Sequence, residues 1–317
     1  MTVITSVAAL SAALLTGAAL ADTAITLPDP GFAPEGIAAD SDGVLYTGSL
    51  TQGRIVKITP DSGVVTDFAA AGANGMVSVI GLHVAGDLVF ACSSDPGASA
   101  LTGTAVPALV AFDRRSGAAA GRFELPQGGA FCNDIAELPD GTILATDSFA
   151  PRIYALRPGS DRLEIWLEDA RFAGEGFNLN GIAHDAGAVY VLRYNTGSLH
   201  RIEVAADGSA GAVSEVALPA PFRAPDGLIA LGGGRFLVVE GGGLHAGARG
   251  ALTGVRLDGA TASVETIADD LNVPTTAVVV GGTAFVVEGQ LDHLFDPAAG
   301  VPDPYRILAI DLPAAYR

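Results

Sequence analysis

One sequence pattern recurs six times at intervals of 45 to 53 residues, and this repetition restricts the fold more than any other feature of the chain. Each copy has a polar or turn residue, an apolar run, a Gly- or Asp-containing turn and a second β-prone run, as in CNDIAELPDGTILATDS from Cys132. Third and fourth β-prone runs follow in most copies. Four strands in about 47 residues are typical of a β-propeller blade, so we predict an all-β, six-bladed β-propeller with four antiparallel strands per blade.

The two ends of the repeat indicate how the propeller closes. The sixth copy stops after its third strand, RILAI at 306–310, while the unassigned strand TAITLP lies at 23–28. We expect this N-terminal strand to complete the last blade. The alternative, a β-sandwich or two domains, does not explain one period from end to end, and we therefore predict a single propeller domain over residues 22–317.

The segment before Asp22 has the features of an export signal. It is apolar, contains no charged side chain and ends in Ala19, Leu20 and Ala21, which fits an A-x-A cleavage site. Because the first residues contain no Lys or Arg, a packed or lipid-exposed N-terminal helix is the alternative. We expect residues 1–21 to be a secretory signal peptide and the mature protein to be periplasmic or secreted, without a membrane partner after cleavage.

The net charge of the chain limits the classes of partner that it can bind. The formal net charge is −18, from 35 acidic and 17 basic residues. Such a field repels phosphate backbones and anionic lipid surfaces, so we expect neither a nucleic-acid partner nor a peripheral membrane partner. The two cysteines, Cys92 and Cys132, fall at the same mouth of the predicted propeller in neighbouring blades. A disulfide between them is a hypothesis.

Alignment of the six copies places one residue of each first strand in a common register. These residues, which we name the axial ring, are Glu35, Ile80, Asn133, Asn180, Asp226 and Thr275. The first strands of a propeller line its central channel, so the axial ring would surround one mouth of that channel. Taken singly, Asn180 and Asp226 have another explanation, because each precedes a glycine in an ordinary turn dipeptide.

The axial ring as a whole predicts a cation site. Its two carboxylates repel each other, and no ring position holds a Lys or Arg. A divalent cation between Glu35, Asn133, Asn180 and Asp226 would cancel this repulsion. All-oxygen ligands without Cys or His favour Ca²⁺ over Mg²⁺ and disfavour zinc, although another divalent cation is an alternative.

The motifs that carry these residues, PEG, CNDI, LNGIAHD and PDGL, resemble the regucalcin/gluconolactonase superfamily of six-bladed propellers. This superfamily also includes paraoxonase-like and diisopropylfluorophosphatase-like enzymes. The resemblance spans the mature chain and implies that Glu35, Asn133, Asn180 and Asp226 are metal ligands. It also implies a Ca²⁺-dependent hydrolase of small lactones or esters, with Asp226 as the catalytic base and Asp134 as the second candidate.

Two departures from the paraoxonase pattern favour a gluconolactonase-like site. Gly227 follows Asp226 where paraoxonases have a further Asn ligand, and Ile80 stands where they have a histidine motif. The alternatives are a phosphotriesterase-like activity, a non-catalytic propeller with a structural calcium, and a strictosidine-synthase-like propeller that works without metal. The acid and amide side chains of the axial ring argue against the last of these.

Further polar residues are predicted near the same mouth. The outer ring, at the ends of the second strands, contains Ser49, Asp147, Tyr194, Glu240 and Glu288, and the long loops of blades 5 and 6 carry His245 and His293. We predict that Asp147, Tyr194, Glu240, Glu288, His245 and His293 bind substrate. The alternative is that the outer ring caps loops and that the two histidines are solvated. His83 and His184 lie deeper in first strands and are interpreted as structural.

Overall fold

The computed structural model describes residues 23–126 and 128–317, and in these ranges the chain forms six four-stranded antiparallel sheets. Each first strand contacts the first strands of both neighbouring blades, so the six close into a ring around the axis. The predicted all-β, six-bladed propeller is therefore confirmed. The predicted signal peptide lies outside the described residues.

Within each blade the four strands follow one another from a buried centre to an exposed periphery. The first strands are Pro34–Ala39, Ser78–Ala85, Cys132–Glu137, Leu179–Asp185, Pro225–Gly232 and Pro274–Val280. The second strands are Leu45–Ser49, Leu88–Ser94, Ile143–Asp147, Ala188–Arg193, Arg235–Glu240 and Thr283–Glu288. The third strands are Ile55–Thr59, Ala108–Asp113, Arg152–Leu156, Ser198–Val204, Gly250–Asp258 and Arg306–Asp311. The fourth strands are Val64–Ala69, Ala119–Glu124, Glu164–Glu168, Ala210–Val216 and Thr261–Leu271, with Thr23–Thr26 in the last blade.

The N-terminal strand closes the ring as the sequence predicted. Thr23–Thr26 pairs antiparallel with Arg306–Asp311, the third strand of blade 6, so that its ladder supplies the missing fourth strand. Helical elements are short. They comprise the α-helix Asp292–Phe295 and the 3-10 turns Ala73–Gly75, Ala170–Phe172, Pro297–Ala299 and Ala314–Tyr316. Among the described residues, no helix is long and apolar enough to cross a membrane.

The apolar core consists of separate clusters between adjacent blades. Second and third strands carry the alternating Val, Ile, Leu and Phe side chains that face the neighbouring sheet, which is why these strands are almost wholly buried. The cluster between blades 2 and 3 differs from the others. It extends beyond the sheets to Leu50, Leu291 and Val273, so that its apolar side chains also cover the mouth of the channel that carries the axial ring.

A β-bulge interrupts every first strand at the axial ring. The register shifts between Pro34 and Ile37, and the corresponding shift recurs in the other five blades, each enclosing the ring residue and its successor. A bulge re-aims side chains and ends regular pairing, which turns the ring residues towards the axis. At Gly36 and Gly181 a Cβ would collide with a carbonyl oxygen of the next first strand, so only glycine allows this approach.

Candidate functional site

The four predicted metal ligands lie together at one mouth of the channel. Glu35, Asn133, Asn180 and Asp226 come from four different blades and all line one small cavity, which we name the ring cavity. Each is at most 9% exposed. The structure therefore brings these four side chains together, whereas metal binding by them stays a prediction.

The carboxyl groups at the axis strongly disfavour ionisation in the metal-free protein. Burial raises the pKa of Glu35 well above its usual range, and the charges of Asp226 and Asp134 raise it further. Burial, with the charge of Asp134, also raises the pKa of Asp226 to about 8, although a hydrogen bond from Asn180 opposes the shift. Buried carboxyl groups with raised pKa values are common at functional sites. A bound cation would favour their ionised form and so lower these pKa values.

The orientation of the Asn133 amide is fixed by its neighbours. Its Nδ2 donates to Ser148 Oγ at 2.8 Å, and the Ser148 hydroxyl in turn donates to the carbonyl oxygen of Leu179 at 2.6 Å. Because the nitrogen is held by Ser148, the amide oxygen is the end left for a ligand in the ring cavity. Ser148 thus does for Asn133 what outer hydrogen-bond partners do for metal ligands in general.

Asp134 points away from its neighbour Asn133. It lines the central channel on the opposite side of the axial ring, in a second cavity of about 300 Å³, and one of its carboxylate oxygens accepts from Ile182 N at 3.0 Å. Burial raises the pKa of Asp134 to about 6, against hydrogen bonds from the backbone of Ile135 and Ile182 and the nearby His83. As a catalytic base Asp134 would therefore act from behind the ring.

The donor set fits a hard divalent cation. Two carboxylates and two carboxamides face the ring cavity, and in the part of the chain that the structure describes no Lys, Arg or His lines it. Within residues 23–126 and 128–317, no cluster of three or more His, Cys, Asp or Glu side chains suited to a metal is found. The axial ring is not such a cluster, because two of its four predicted ligands are asparagine amides and only two are carboxylates. Carboxylate and amide oxygens are what Ca²⁺ prefers.

Apolar side chains roof the ring cavity. Its remaining lining residues are Leu50, Ile80, Pro96, Phe131, Phe177, Tyr194, Leu244, Leu291 and Phe295. The volume of the ring cavity is about 40 Å³, which suffices for an ion with a water. The loops of blades 5 and 6 that contribute to this roof are joined by a hydrogen bond from Ala246 N to Asp296 Oδ2 at 2.8 Å.

Most side chains of the outer ring form hydrogen bonds with the backbone of nearby loops. Oxygens of Asp147, Glu240 and Glu288 accept from the backbone nitrogens of Phe131, Arg223 and Asn272, at 2.9, 2.7 and 2.9 Å. Ser49 likewise donates to the carbonyl oxygen of Phe32. None of these four outer-ring residues lines the ring cavity. The structure thus favours the loop-capping alternative for them, and direct contact with substrate stays untested.

The other predicted substrate contacts are placed differently. Tyr194 lines the ring cavity, and burial together with the charge of Asp226 raises the pKa of its hydroxyl. His245 is exposed on the blade 5 loop, and His293 is held in the blade 6 loop, where its Nδ1 lies 3.1 Å from the carbonyl oxygen of Gly300. Neither histidine lines the ring cavity, although their neighbours Leu244 and Leu291 do.

The sequence reasoning missed an aromatic cluster beside the site. The rings of Phe131, Phe149 and Phe177 pack against one another with centroids 4.8 to 5.5 Å apart, and Tyr194 lies 6.2 Å from Phe177. The only sequence signal is that Phe131 and Phe177 lie two or three residues before Asn133 and Asn180, and that Phe149 follows the second strand of blade 3. Those positions all belong to the mouth with the axial ring.

Cys92 and Cys132 form a disulfide, as hypothesised, with Cα atoms 5.1 Å apart. The bond joins the second strand of blade 2 to the first strand of blade 3, directly before Asn133. Both cysteines are fully buried in the apolar cluster that roofs the ring cavity. The disulfide therefore fixes the backbone from which one predicted metal ligand projects.

Comparisons with known proteins agree with this fold. A model of the family described as strictosidine synthase-like, N-terminal, matches residues 18–58, which include Glu35. A comparison with curated protein sequences found no significant match. Solved structures of similar fold include a calcium-binding protein, regucalcin, from Agrobacterium tumefaciens, with a TM-score of 0.64 and 16% identity over 90% of this chain and 93% of regucalcin.

Two further structures show how varied the activities of this fold are. A gluconolactonase from Xanthomonas campestris has a TM-score of 0.62 and 15% identity, over 91% of this chain and 89% of that enzyme. Virginiamycin B lyase from Staphylococcus aureus has a TM-score of 0.59 and 14% identity, over 92% and 99% of the two chains. The resemblance to regucalcin and gluconolactonase propellers is thus borne out in the fold, and function must be argued from the site.

Proposed function

We propose that this protein is a Ca²⁺-dependent hydrolase of small lactones or esters that acts at the ring cavity. The observation that carries the proposal is the convergence of Glu35, Asn133, Asn180 and Asp226 on one cavity whose described lining residues include no cationic side chain. The sequence motifs and the gluconolactonase and regucalcin folds are consistent with it.

Glu35, Asn133, Asn180 and Asp226 would hold the cation, and each has a distinct part in the site. A bound Ca²⁺ supplies positive charge that polarises a carbonyl oxygen. Asn133 is pre-oriented by Ser148, so its oxygen needs no rearrangement to serve as a ligand. Asp226 contributes a carboxylate at the same cavity, and the adjacent Asn180 amide lowers its pKa against the effect of burial.

Asp226 is also the favoured base. Calcium lowers the pKa of water only weakly, so a carboxylate must take the proton of the attacking water. Asp226 faces the ring cavity, whereas Asp134 faces the channel behind it. Asp134 would act on the reaction through its charge, which raises the pKa of both Glu35 and Asp226.

The test measures hydrolysis of lactones, carboxylic esters and phosphotriesters by the purified protein, first with a chelator and then with added CaCl₂. Expected is turnover of lactones or esters that requires Ca²⁺ and is lost in Glu35→Gln. Glu137→Gln is the matched control, because this acid pairs with His83 in the channel at 3.2 Å and does not line the ring cavity. It should retain calcium-dependent turnover.

Two results would contradict the proposal in different ways. Equal turnover with chelator and with Ca²⁺ would mean a metal-free mechanism, the strictosidine-synthase-like alternative, which the match of residues 18–58 keeps open. Calcium binding by calorimetry without turnover of any substrate class would mean a structural ion in a non-catalytic propeller.

A further inference from the structure

We infer that the substrate is a lactone or ester with an aryl or other large apolar substituent, not a polyhydroxylated sugar lactone, and that Phe149 and Phe177 bind this substituent. The inference rests on the proposed function, because it concerns the same cavity. It goes beyond that proposal by assigning a substrate class and two specificity residues.

The lining of the ring cavity offers little to a substrate with many hydroxyl groups. Apart from the four predicted metal ligands, the only polar side chain in the lining, among residues 23–126 and 128–317, is Tyr194. Among the described residues the Tyr194 hydroxyl has no hydrogen-bond partner, so it is available to form a hydrogen bond with one polar group of a substrate. The remaining hydroxyls of a sugar lactone would lose water without gaining partners, which is unfavourable.

The acidic side chains of the outer ring, which lie near the cavity, already form hydrogen bonds within the protein. Asp147 accepts from three backbone nitrogens and the Tyr154 hydroxyl, and Glu240 accepts from Thr253 and Arg223 N. Glu288 is bound by Asn272 N and by Arg306. To bind sugar hydroxyls, these acids would have to release the loops that carry the axial ring.

The aromatic cluster provides a continuous apolar path from the cavity to the surface. Phe131 and Phe177 line the ring cavity, and both pack against Phe149, whose side chain is 48% exposed at the rim. Phe149 therefore presents an exposed aromatic side chain at the end of a row of rings that begins in the ring cavity. An aryl group attached to a lactone whose carbonyl lies at the axial ring would extend along these rings.

The experiment measures binding by isothermal titration calorimetry in CaCl₂ with two non-hydrolysable analogues, a phenyl-substituted δ-lactam and the polyhydroxylated glucono-δ-lactam. We expect the phenyl lactam to bind at least roughly tenfold more tightly, as burial of a phenyl group against aromatic side chains predicts. Phe149→Ala should weaken phenyl lactam binding by roughly fivefold while calcium affinity stays unchanged. Ile165→Ala, at an exposed position on the fourth strand of the same blade, is the control and should change nothing.

Each other outcome overturns the inference. Equal or tighter binding of glucono-δ-lactam, or no binding of either lactam, would refute the substrate class. Unchanged affinity in both Phe149→Ala and Phe177→Ala would refute the assigned residues. Because binding is measured without turnover, failure of this inference is distinguishable from failure of the proposed hydrolase, which the separate lactone assay decides.

Discussion

Replacing Asp226 by Asn should stabilise the metal-free protein and at the same time remove its response to calcium. In the folded protein, burial and the charge of Asp134 raise the pKa of Asp226 to about 8, compared with an ordinary value of 3.8. At pH 7 the folded state therefore holds a proton that the unfolded chain has released. Holding it costs about 4 kcal/mol at about 1.4 kcal/mol per pH unit, and Asn removes this cost.

The pH dependence has a definite sign. The folded state binds the proton more tightly than the unfolded state, so the free energy of unfolding of the metal-free protein falls as pH rises from about 4 to about 8. Glu35 and Asp134, whose pKa values are also raised, contribute in the same direction. Asp226→Asn should therefore flatten, but not abolish, this decline.

Calcium should stabilise the wild type and have little effect on Asp226→Asn. A ligand that binds only the folded state stabilises it by about 2.7 kcal/mol when present at a hundred times its Kd. Wild-type protein should gain this stability, while Asp226→Asn, which lacks one of the two ligand charges, should gain little. Urea unfolding with EDTA or CaCl₂ at pH 5, 7 and 8 measures both effects.

A control and a refuting outcome complete this experiment. Asp147→Asn also removes a buried carboxylate, but one that binds loop backbone outside the ring cavity, and it should keep the calcium response of the wild type. The reasoning is wrong if Asp226→Asn is less stable than wild type in EDTA at pH 8. It is also wrong if calcium stabilises both proteins equally.

Three further predictions concern the supports of the site. Removal of the disulfide in a Cys92→Ala/Cys132→Ala variant should lower the free energy of unfolding by about 4 kcal/mol, from the chain entropy of its 40-residue separation, and denaturant unfolding checks this. Ser148→Ala should raise the calorimetric Kd for Ca²⁺ roughly tenfold, because the Asn133 amide loses its fixed orientation; an unchanged Kd would contradict this role. Gly181→Ala should destabilise the fold by about 2 kcal/mol or more, since its methyl would meet the neighbouring first strand, and a melting temperature equal to wild type would show that the strands can separate.

The repeated pattern was enough to predict the blades, the closing strand and the residues that meet at the axis. This worked because each blade imposes the same strand order, so equivalent sequence positions must become equivalent positions around the axis. The register of Glu35, Asn133, Asn180 and Asp226 could therefore be read from alignment of the copies alone. That these four residues would meet at one cavity could be predicted without knowing the conformation of any loop.

Side-chain direction near the ring could not be predicted in the same way. Asp134 faces the channel and Asn133 the ring cavity, and both lie within a β-bulge, where the regular alternation of side chains along a strand is interrupted. The hydrogen bonds of Asp147, Glu240 and Glu288 depend on loop backbone from the preceding segment of the same blade. The aromatic cluster likewise depends on contacts between blades 3 and 4, which no local pattern encodes.

A crystal structure of the protein grown with CaCl₂, with the ion located by its anomalous scattering, tests the central claim most directly. The account predicts a single ion in the ring cavity with oxygens of Glu35, Asn133, Asn180 and Asp226 at about 2.3–2.6 Å from it. An empty ring cavity in such crystals, or an ion bound only elsewhere in the protein, would contradict it.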